Sequence, residues 1–371
     1  MLNQILLYHF LRKIMIVNNE KKNVLFTLLL ILVTNLILIF CFNLDYAVTD
    51  GDGDKDFYVK ELPNLINNVQ TTLAFPLLRT VQPSIAILLS NIASGISVEF
   101  AMKAVSFAAY LFLVLFFGVL YTKDKINKLQ LFILVLFPIF IVYQTSYHVE
   151  SLFYCLCLIY CFLWEKFAIT NKTIYLVLCG VLGIIAILTK EAFFIFYCFG
   201  ILYTLIFYKK RTVIYAVCLI LVYIPAFYIN YYWFFETKQS LLIQTLPDSV
   251  MSIRYGPFEK LPDLKSIVHI GFAFLMTFSS FGAYLFYLSY KNFTKKETLF
   301  LAFLVFCSIA LMFKIGGFGS KYIFLIMGPF LFLLIGKIKK QCSNYYILIH
   351  YLGTVFAIAL YSWIHSNHLK L

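Results

Sequence analysis

The sequence predicts an all-α protein, a polytopic bundle of about eleven transmembrane helices that forms a single domain over residues 1–371. Two observations carry this prediction. Of the 371 residues, 62% are hydrophobic and only 13% are charged, which lies outside the range of soluble globular proteins. Apolar runs of about 20 residues, the length that crosses a bilayer, also recur along the chain.

The first predicted span, 24–44, follows a segment that contains Arg12, Lys13, Lys21 and Lys22. No small-residue cleavage site follows it, so we expect a signal anchor with a cytoplasmic N-terminus. Residues 84–97 are apolar but too short to span and marked by Ser and Gly, which favours an interfacial helix within the first outer loop. The other predicted spans are 99–121, 130–147, 150–165, 173–189, 191–208, 212–232, 267–290, 298–314, 321–337 and 343–364.

The positive charges indicate the orientation of the bundle. Threaded alternately, the side that holds the N-terminus carries 18 Lys/Arg and 4 Asp/Glu, and the opposite side carries 12 and 13. The positive-inside rule then predicts a cytoplasmic (inner) membrane protein with its C-terminus outside. The net charge of +13 is distributed in short clusters between apolar runs, so the lipid bilayer is the expected partner and nucleic acid is not. The nine cysteines fall in or beside apolar runs, which implies no disulfide framework.

Two outer loops are long, 45–98 and 233–266, which favours a function on the outer face. The first contains the run from Asp50 to Asp56, the densest group of carboxylates in the chain. Against the calcium-loop template, Asp50, Asp52, Asp54 and Glu61 occupy ligand positions, but Lys55 stands where the template requires Gly. Three interpretations stay open: a solvated acidic turn, a site for a divalent cation (Mg, Mn or Ca), and a catalytic carboxylate.

Several cations lie near predicted outer helix ends. Arg79 stands among apolar residues just outside the bilayer, where it suits either a phosphate ligand or lipid headgroups. Ionisable groups that gather on one side of a membrane protein are by default a candidate substrate pathway. The other polar groups at these ends are Tyr147-His148-Val149-Glu150, Thr189-Lys190-Glu191 and Gly319-Ser320-Lys321-Tyr322. His148 alone is more typical of a packed or interfacial histidine than of a ligand.

The order of these segments resembles the GT-C superfamily of integral-membrane glycosyltransferases. The resemblance rests on the acidic first loop from Asp50 to Tyr58, the Arg/Pro segment 75–83, Phe137-Pro138, Leu188-Thr189-Lys190-Glu191, and Lys321-Tyr322 followed by Gly328-Pro329. It implies transfer of a sugar from a polyprenyl-phosphate donor at the outer face. Because the second outer loop is short for this family and no soluble C-terminal domain is expected after it, a lipid-linked or small glycan acceptor fits better than a large protein.

The resemblance also implies roles for individual residues. Asp50 or Asp52 becomes the expected catalytic base, and transfer by direct displacement would invert the anomeric centre. Arg79, Lys190 and Lys321 are the expected phosphate ligands, although Arg is commoner in the family at the position of Lys321. The further site candidates are Asp54, Tyr58, His148, Glu150, Glu191 and Tyr322, with Asp50, Asp52, Asp54 and Glu61 as the metal set.

Two alternatives compete with this interpretation. The first is a polysaccharide polymerase or flippase that handles the same kind of lipid-linked sugar on the outer face. The second is a transporter or divalent-cation-binding membrane protein, in which the acidic loop captures the ion.

Overall fold

The computed structural model describes residues 19–42, 79–93, 95–136, 146–190, 192–228, 293–315, 319–337, 345–353 and 355–356. Within them, residues 38–42, 133–136, 308–315 and 319–326 are described by their backbone alone. These ranges are helical with short turns and contain no strand, as the all-α prediction requires. The carboxylates of the first outer loop and the predicted span 267–290 lie outside the described residues.

The helices follow the predicted order, most of them within a few residues of the predicted limits. They are α1 (Asn19–Phe42), α2 (Val81–Ile92), α3 (Val98–Thr122), α4 (Lys128–Leu136), α5 (Glu150–Thr170), α6 (Thr173–Thr189), α7 (Phe193–Phe207), α8 (Thr212–Cys218), α9 (Lys295–Ile315), α10 (Gly319–Ile335) and α11 (345–353). Helix α8 continues through a π-helical segment, Leu219–Tyr223, and then as α-helix to residue 228.

Three helices of the described part are long and apolar enough to cross a membrane: α3, α5 and the continuous segment Lys209–Tyr228. The number of about eleven spans therefore stays a prediction. The most apolar stretch of α5 is 72% buried inside the protein, compared with 44% for α3 and 11% for Lys209–Tyr228. Helix α5 is thus the central element of the described bundle.

Local sequence explains where these central helices begin and end. Ser97 caps α3 by accepting a hydrogen bond from the Phe100 N–H at 3.2 Å. Asp124 after α3 and Asn171 after α5 adopt left-handed backbone conformations, with φ of 55° and 57°. Asp and Asn tolerate this region better than most residues, so both helices end where the sequence supplies a suitable residue.

Aromatic side chains fill the interior around α5. Trp164 donates from Nε1 to Thr204 Oγ1 on α7 at 3.1 Å, and its ring meets Tyr215 on α8 edge to face at 4.2 Å. Gly328 lets α10 approach α5 closely, because a Cβ at that position would lie 2.7 Å from the Tyr154 ring. The core thus joins α5, α7, α8 and α10 into one packed unit.

Several lysines of the described residues lie at one end of this unit. Lys21 at the start of α1 pairs with Asp124 at 2.6 Å, and Lys337 after α10 lies 3.7 Å from Glu165 near the end of α5. Asn127 Nδ2 donates to the Ile335 carbonyl at the end of α10 at 2.8 Å. We call this the lysine-rich end; which side of a membrane it faces stays a prediction.

Two predicted elements differ from the observed ones. The run 130–147 is predicted to be one span; the structure describes α4 as far as Leu136 and bends at 146–149, so the last two residues of the predicted span are not helical, and residues 137–145 lie outside the described residues. Hydrogen bonds from α2 and α3 to the His148 carbonyl hold that turn, and hydropathy does not reveal them. The expected interfacial helix at 84–97 is α2, which starts earlier at Val81 and ends at Ile92, and residues 95–97 lie between it and α3.

Candidate functional site

The candidate site lies at the end of the bundle opposite the lysine-rich end, where α5 begins. Residues 146–149 form a buried turn in front of that helix, with Ser146, His148 and Val149 each 0% exposed. Ser146 Oγ accepts a hydrogen bond from the His148 N–H at 3.1 Å, and the Tyr147 ring stacks on the imidazole at 4.6 Å. The turn therefore fixes His148 two residues before the first residue of α5.

Glu150 and Lys190 form the central contact of the site. Lys190 Nζ lies 2.7 Å from Glu150 Oε1, with both side chains buried at 0% and 2% exposure. His148 Nδ1 lies 3.7 Å from the other carboxylate oxygen, Glu150 Oε2. Burying two charges costs free energy unless they are paired at close range. The surrounding helices must therefore hold Lys190 and Glu150 in contact.

Helix dipoles favour both charges of the pair. Glu150 is the first residue of α5, where the positive end of the dipole stabilises a carboxylate. Lys190 directly follows α6, where the negative end stabilises an ammonium group. Each charge is thus stabilised by its own helix end as well as by its partner.

Lys190 is also the first residue of the short connection between α6 and α7. Its backbone is extended, with φ of −160° and ψ of 131°, so the helix cannot continue through it. Its N–H donates to Ala186 O at 2.9 Å, and its carbonyl accepts from the Phe193 N–H at 3.1 Å. Both helix ends are therefore tied to the residue that carries the ammonium group.

The segment from Arg79 to Gln82 covers this connection. The Thr80 N–H donates to the Leu188 carbonyl at 3.0 Å, which ties the start of α2 to the end of α6. Arg79, the residue before Thr80, is buried at 5% exposure. The backbone of Arg79 therefore lies next to the residue that contacts the end of α6, at the same end of the bundle as Lys190.

Gln82 joins this segment to the turn in front of α5. Its Nε2 donates to Met102 O at 3.1 Å, to Ser106 Oγ at 2.9 Å and to His148 O at 3.3 Å. The Ser106 hydroxyl in turn donates to His148 O at 3.1 Å. Buried polar contacts therefore connect four stretches of the chain: the start of α2, the first half of α3, the turn before α5 and the end of α6.

The structure brings together four of the residues that the sequence singled out: Arg79, His148, Glu150 and Lys190. Lys321 and Tyr322 lie in the first turn of α10, where only the backbone is described. Helix α10 runs parallel to α5, because Gly328 packs on Tyr154 while Lys337 approaches Glu165. The backbone of Lys321 is therefore at the same end of the bundle as Glu150.

The remaining predicted residues lie outside the described ranges: Asp50, Asp52, Asp54, Tyr58, Glu61 and Glu191. The expected base and the expected metal set thus stay predictions. Among the described residues, no group of three or more His, Cys, Asp or Glu side chains is arranged to hold a metal ion.

Sequence reasoning missed Gln82 and Ser106. Ser106 resembles any small residue inside an apolar helix, and Gln82 stands beside Pro83 at a helix start, where polar residues are common. The signal that was available for Gln82 is its position three residues after Arg79 in an otherwise apolar segment.

Comparisons of the chain with family models, with curated proteins and with solved structures give no match.

Proposed function

We propose that the chain is a membrane glycosyltransferase of the GT-C kind, which moves a sugar from a polyprenyl-phosphate donor to a lipid-linked or small acceptor. One observation carries the proposal: the buried Lys190–Glu150 pair, with Nζ and Oε1 2.7 Å apart, at the end of the helix bundle where the buried Arg79 also lies. Ionisable groups buried in a membrane bundle are expensive, and they are by default functional candidates.

The charge of this group suits a phosphodiester. Arg79 and Lys190 supply two positive charges and Glu150 supplies one negative charge. A polyprenyl-linked sugar monophosphate carries one negative charge on its phosphodiester. Its phosphate can replace Glu150 as a partner of Lys190.

The same cations suit the chemical step. The acceptor hydroxyl attacks the anomeric carbon, the bond from that carbon to the phosphate oxygen breaks, and a general base takes the hydroxyl proton. The leaving polyprenyl phosphate gains negative charge as the bond breaks. Cations held at that position stabilise the transition state more than the ground state, which is the requirement for catalysis.

The other roles remain those that the family resemblance implies. Asp50 or Asp52 is the proposed base, with inversion at the anomeric carbon, and Lys321 is a proposed third phosphate ligand. The candidate site lies opposite the lysine-rich end, so the positive-inside rule assigns it to the outer face of the cytoplasmic membrane. A divalent cation on the first-loop carboxylates stays possible chemistry for that loop.

A double variant tests the proposal without leaving a buried charge alone. Lys190→Met with Glu150→Gln removes both charges of the pair, and we expect it to fold and to lose about 100-fold in transfer, the order for removing one electrostatic contact to a transition state. The assay follows radiolabelled sugar from a panel of polyprenyl phosphosugars into lipid extracts, using membranes that contain the full chain. The matched control is Lys337→Met with Glu165→Gln, which removes the ion pair that α5 makes at the lysine-rich end. We expect this control to keep its activity.

Transfer by the Lys190/Glu150 double variant within two-fold of wild type would contradict the role of Lys190. Full activity of Asp50→Asn, Asp52→Asn and their double variant would contradict the assignment of the base. Products that lengthen by many sugars would indicate a polymerase, and a donor that changes leaflet without transfer would indicate a flippase. A thermal shift with calcium or magnesium alone would favour the cation-binding alternative.

A further inference from the structure

Gln82 belongs to the buried site, and the proposed function does not use its chemistry. It lies at 0% exposure as the second residue of α2, and it contacts α3 and the turn before α5. Its carboxamide has a donor half and an acceptor half, and these two halves have different surroundings.

The orientation of the carboxamide is fixed by its neighbours. Met102 O and His148 O are carbonyl oxygens, which only accept hydrogen bonds, and both lie within 3.3 Å of Gln82 Nε2. Exchanging the oxygen and nitrogen would place Oε1 against two carbonyl oxygens, so the assigned orientation is the one the network permits. Gln82 Oε1, the acceptor atom, then lies on the side of the carboxamide that faces away from these carbonyl groups.

Gln82 Oε1 is buried and accepts no hydrogen bond from the described residues. A buried acceptor without a donor is unfavourable, so this atom requires a hydrogen-bond donor when the site is occupied. A phosphodiester only accepts hydrogen bonds and an isoprenoid chain has no polar hydrogen, so neither of these parts of the donor substrate meets the requirement. A sugar hydroxyl is the part of that substrate that can donate.

We infer that Gln82 is a specificity-determining residue whose Oε1 accepts a hydrogen bond from a hydroxyl of the transferred sugar. The inference rests on the proposed function, because it takes the phosphosugar as the ligand of the same site. Contacts connect Gln82 to the phosphate ligand through His148: Nε2 reaches the His148 carbonyl, and the imidazole lies beside Glu150 and hence Lys190.

The chain offers a matched control for Gln82. Gln130 is a buried glutamine at the lysine-rich end, and its Nε2 also donates to a helix carbonyl, Phe332 O, at 3.0 Å. Its Oε1, in contrast, already accepts from the Asn127 N–H at 3.0 Å. Gln82→Met and Gln130→Met thus both remove buried hydrogen bonds that join helices, and only Gln82→Met removes the acceptor assigned to the ligand.

The experiment compares two kinds of probe on the purified full chain in detergent. Farnesyl phosphate reports the cation site, and farnesyl phosphosugars carrying a hexose, an N-acetylhexosamine or a pentose report the sugar contact. In wild type, at least one phosphosugar binds more tightly than farnesyl phosphate, and removing one of its hydroxyls weakens binding about ten-fold or more. Gln82→Met loses that discrimination and keeps its affinity for farnesyl phosphate, while Gln130→Met changes neither.

Three outcomes overturn the inference. If every single-deoxy analogue binds wild type as tightly as its parent sugar, no hydroxyl is being recognised, and this result needs no variant to fold. If Gln82→Met still discriminates the deoxy analogue, another group accepts the hydroxyl and Gln82 Oε1 is satisfied otherwise, for example by water. If Gln82→Met weakens both kinds of probe equally, Gln82 is only structural.

Failure of the proposed function has a different signature. Wild type would then bind neither farnesyl phosphate nor any phosphosugar, or would bind them equally well after the Lys190→Met/Glu150→Gln replacement. Binding of farnesyl phosphate that depends on Lys190, without any gain from the sugar, would leave the cation site intact and refute only the role of Gln82.

Discussion

Replacing Lys190 by Met removes the 2.7 Å contact of the buried Glu150 carboxylate, and the burial of this pair indicates how much the free energy of unfolding should fall. The side chains of the pair are 0% and 2% exposed and lie 2.7 Å apart, so solvent does not screen the lost contact. Removing one member of a buried pair costs about 3–5 kcal/mol.

The free energy of unfolding provides the measurement. We would titrate purified protein in mixed micelles with SDS and follow helix loss by circular dichroism, for wild type, Lys190→Met and Lys337→Met. Lys337 and Glu165 are 25% and 18% exposed and 3.7 Å apart, so their loss is expected to cost only about 0–1 kcal/mol. Lys190→Met is expected to lose about 3 kcal/mol or more.

Adding Glu150→Gln to Lys190→Met tests the reason for the loss. If the penalty comes from the stranded carboxylate, the double variant recovers most of the stability and lies within about 1–2 kcal/mol of wild type, because neutral replacements of a buried ion pair are often tolerated. A double variant as unstable as Lys190→Met would refute the reasoning. Equal losses for Lys190→Met and Lys337→Met would refute it as well.

Two further predictions concern the aromatic core and use the same unfolding measurement. Gly200→Ala is expected to cost about 1–3 kcal/mol, because its Cβ would lie only 2.7 Å from Tyr215 Cζ. Gly180→Ala has nothing within 4 Å of its Cβ and is expected to be neutral or stabilising by up to about 1 kcal/mol. Equal effects of the two variants would contradict the close contact. Trp164→Phe removes the 3.1 Å hydrogen bond to Thr204 and is expected to cost about 1–2 kcal/mol, and an unchanged midpoint would contradict its role in joining α5 to α7.

The helices were predictable wherever charged residues bounded an apolar run. Lys172 and Lys190 flank the run 173–189, and α6 occupies Thr173–Thr189, since the apolar stretch and the helix end at the same places. The far end of the run 130–147 gave no such boundary. Residues 146 and 147 form bends before α5, and hydrogen bonds from Gln82 and Ser106, which are distant in sequence, hold the His148 carbonyl there, so hydropathy extends the predicted span into that turn.

The candidate site was predictable as a set of residues but not as a set of partners. Arg79, His148, Glu150 and Lys190 were singled out because ionisable groups are costly near membrane spans. Nothing in the sequence pairs Glu150 with Lys190, which are 40 residues apart, because the contact depends on α5 and α6 packing side by side. Gln82 was missed for a related reason: its importance comes from the unequal surroundings of its two amide atoms, which only the folded chain reveals.

The dipoles of α5 and α6 make the Lys190–Glu150 pair ambiguous, since a contact that stabilises two helix ends needs no ligand to explain it. Stability and binding separate these two roles. In the double variant Lys190→Met/Glu150→Gln, a purely structural pair predicts that recovered stability brings recovered affinity for farnesyl phosphate. A phosphate site predicts that stability returns and affinity does not, because Arg79 is then the one cation left among the four residues that the structure brings together. The second result would mean that Glu150 occupies, in the absence of ligand, the place that the donor phosphate takes.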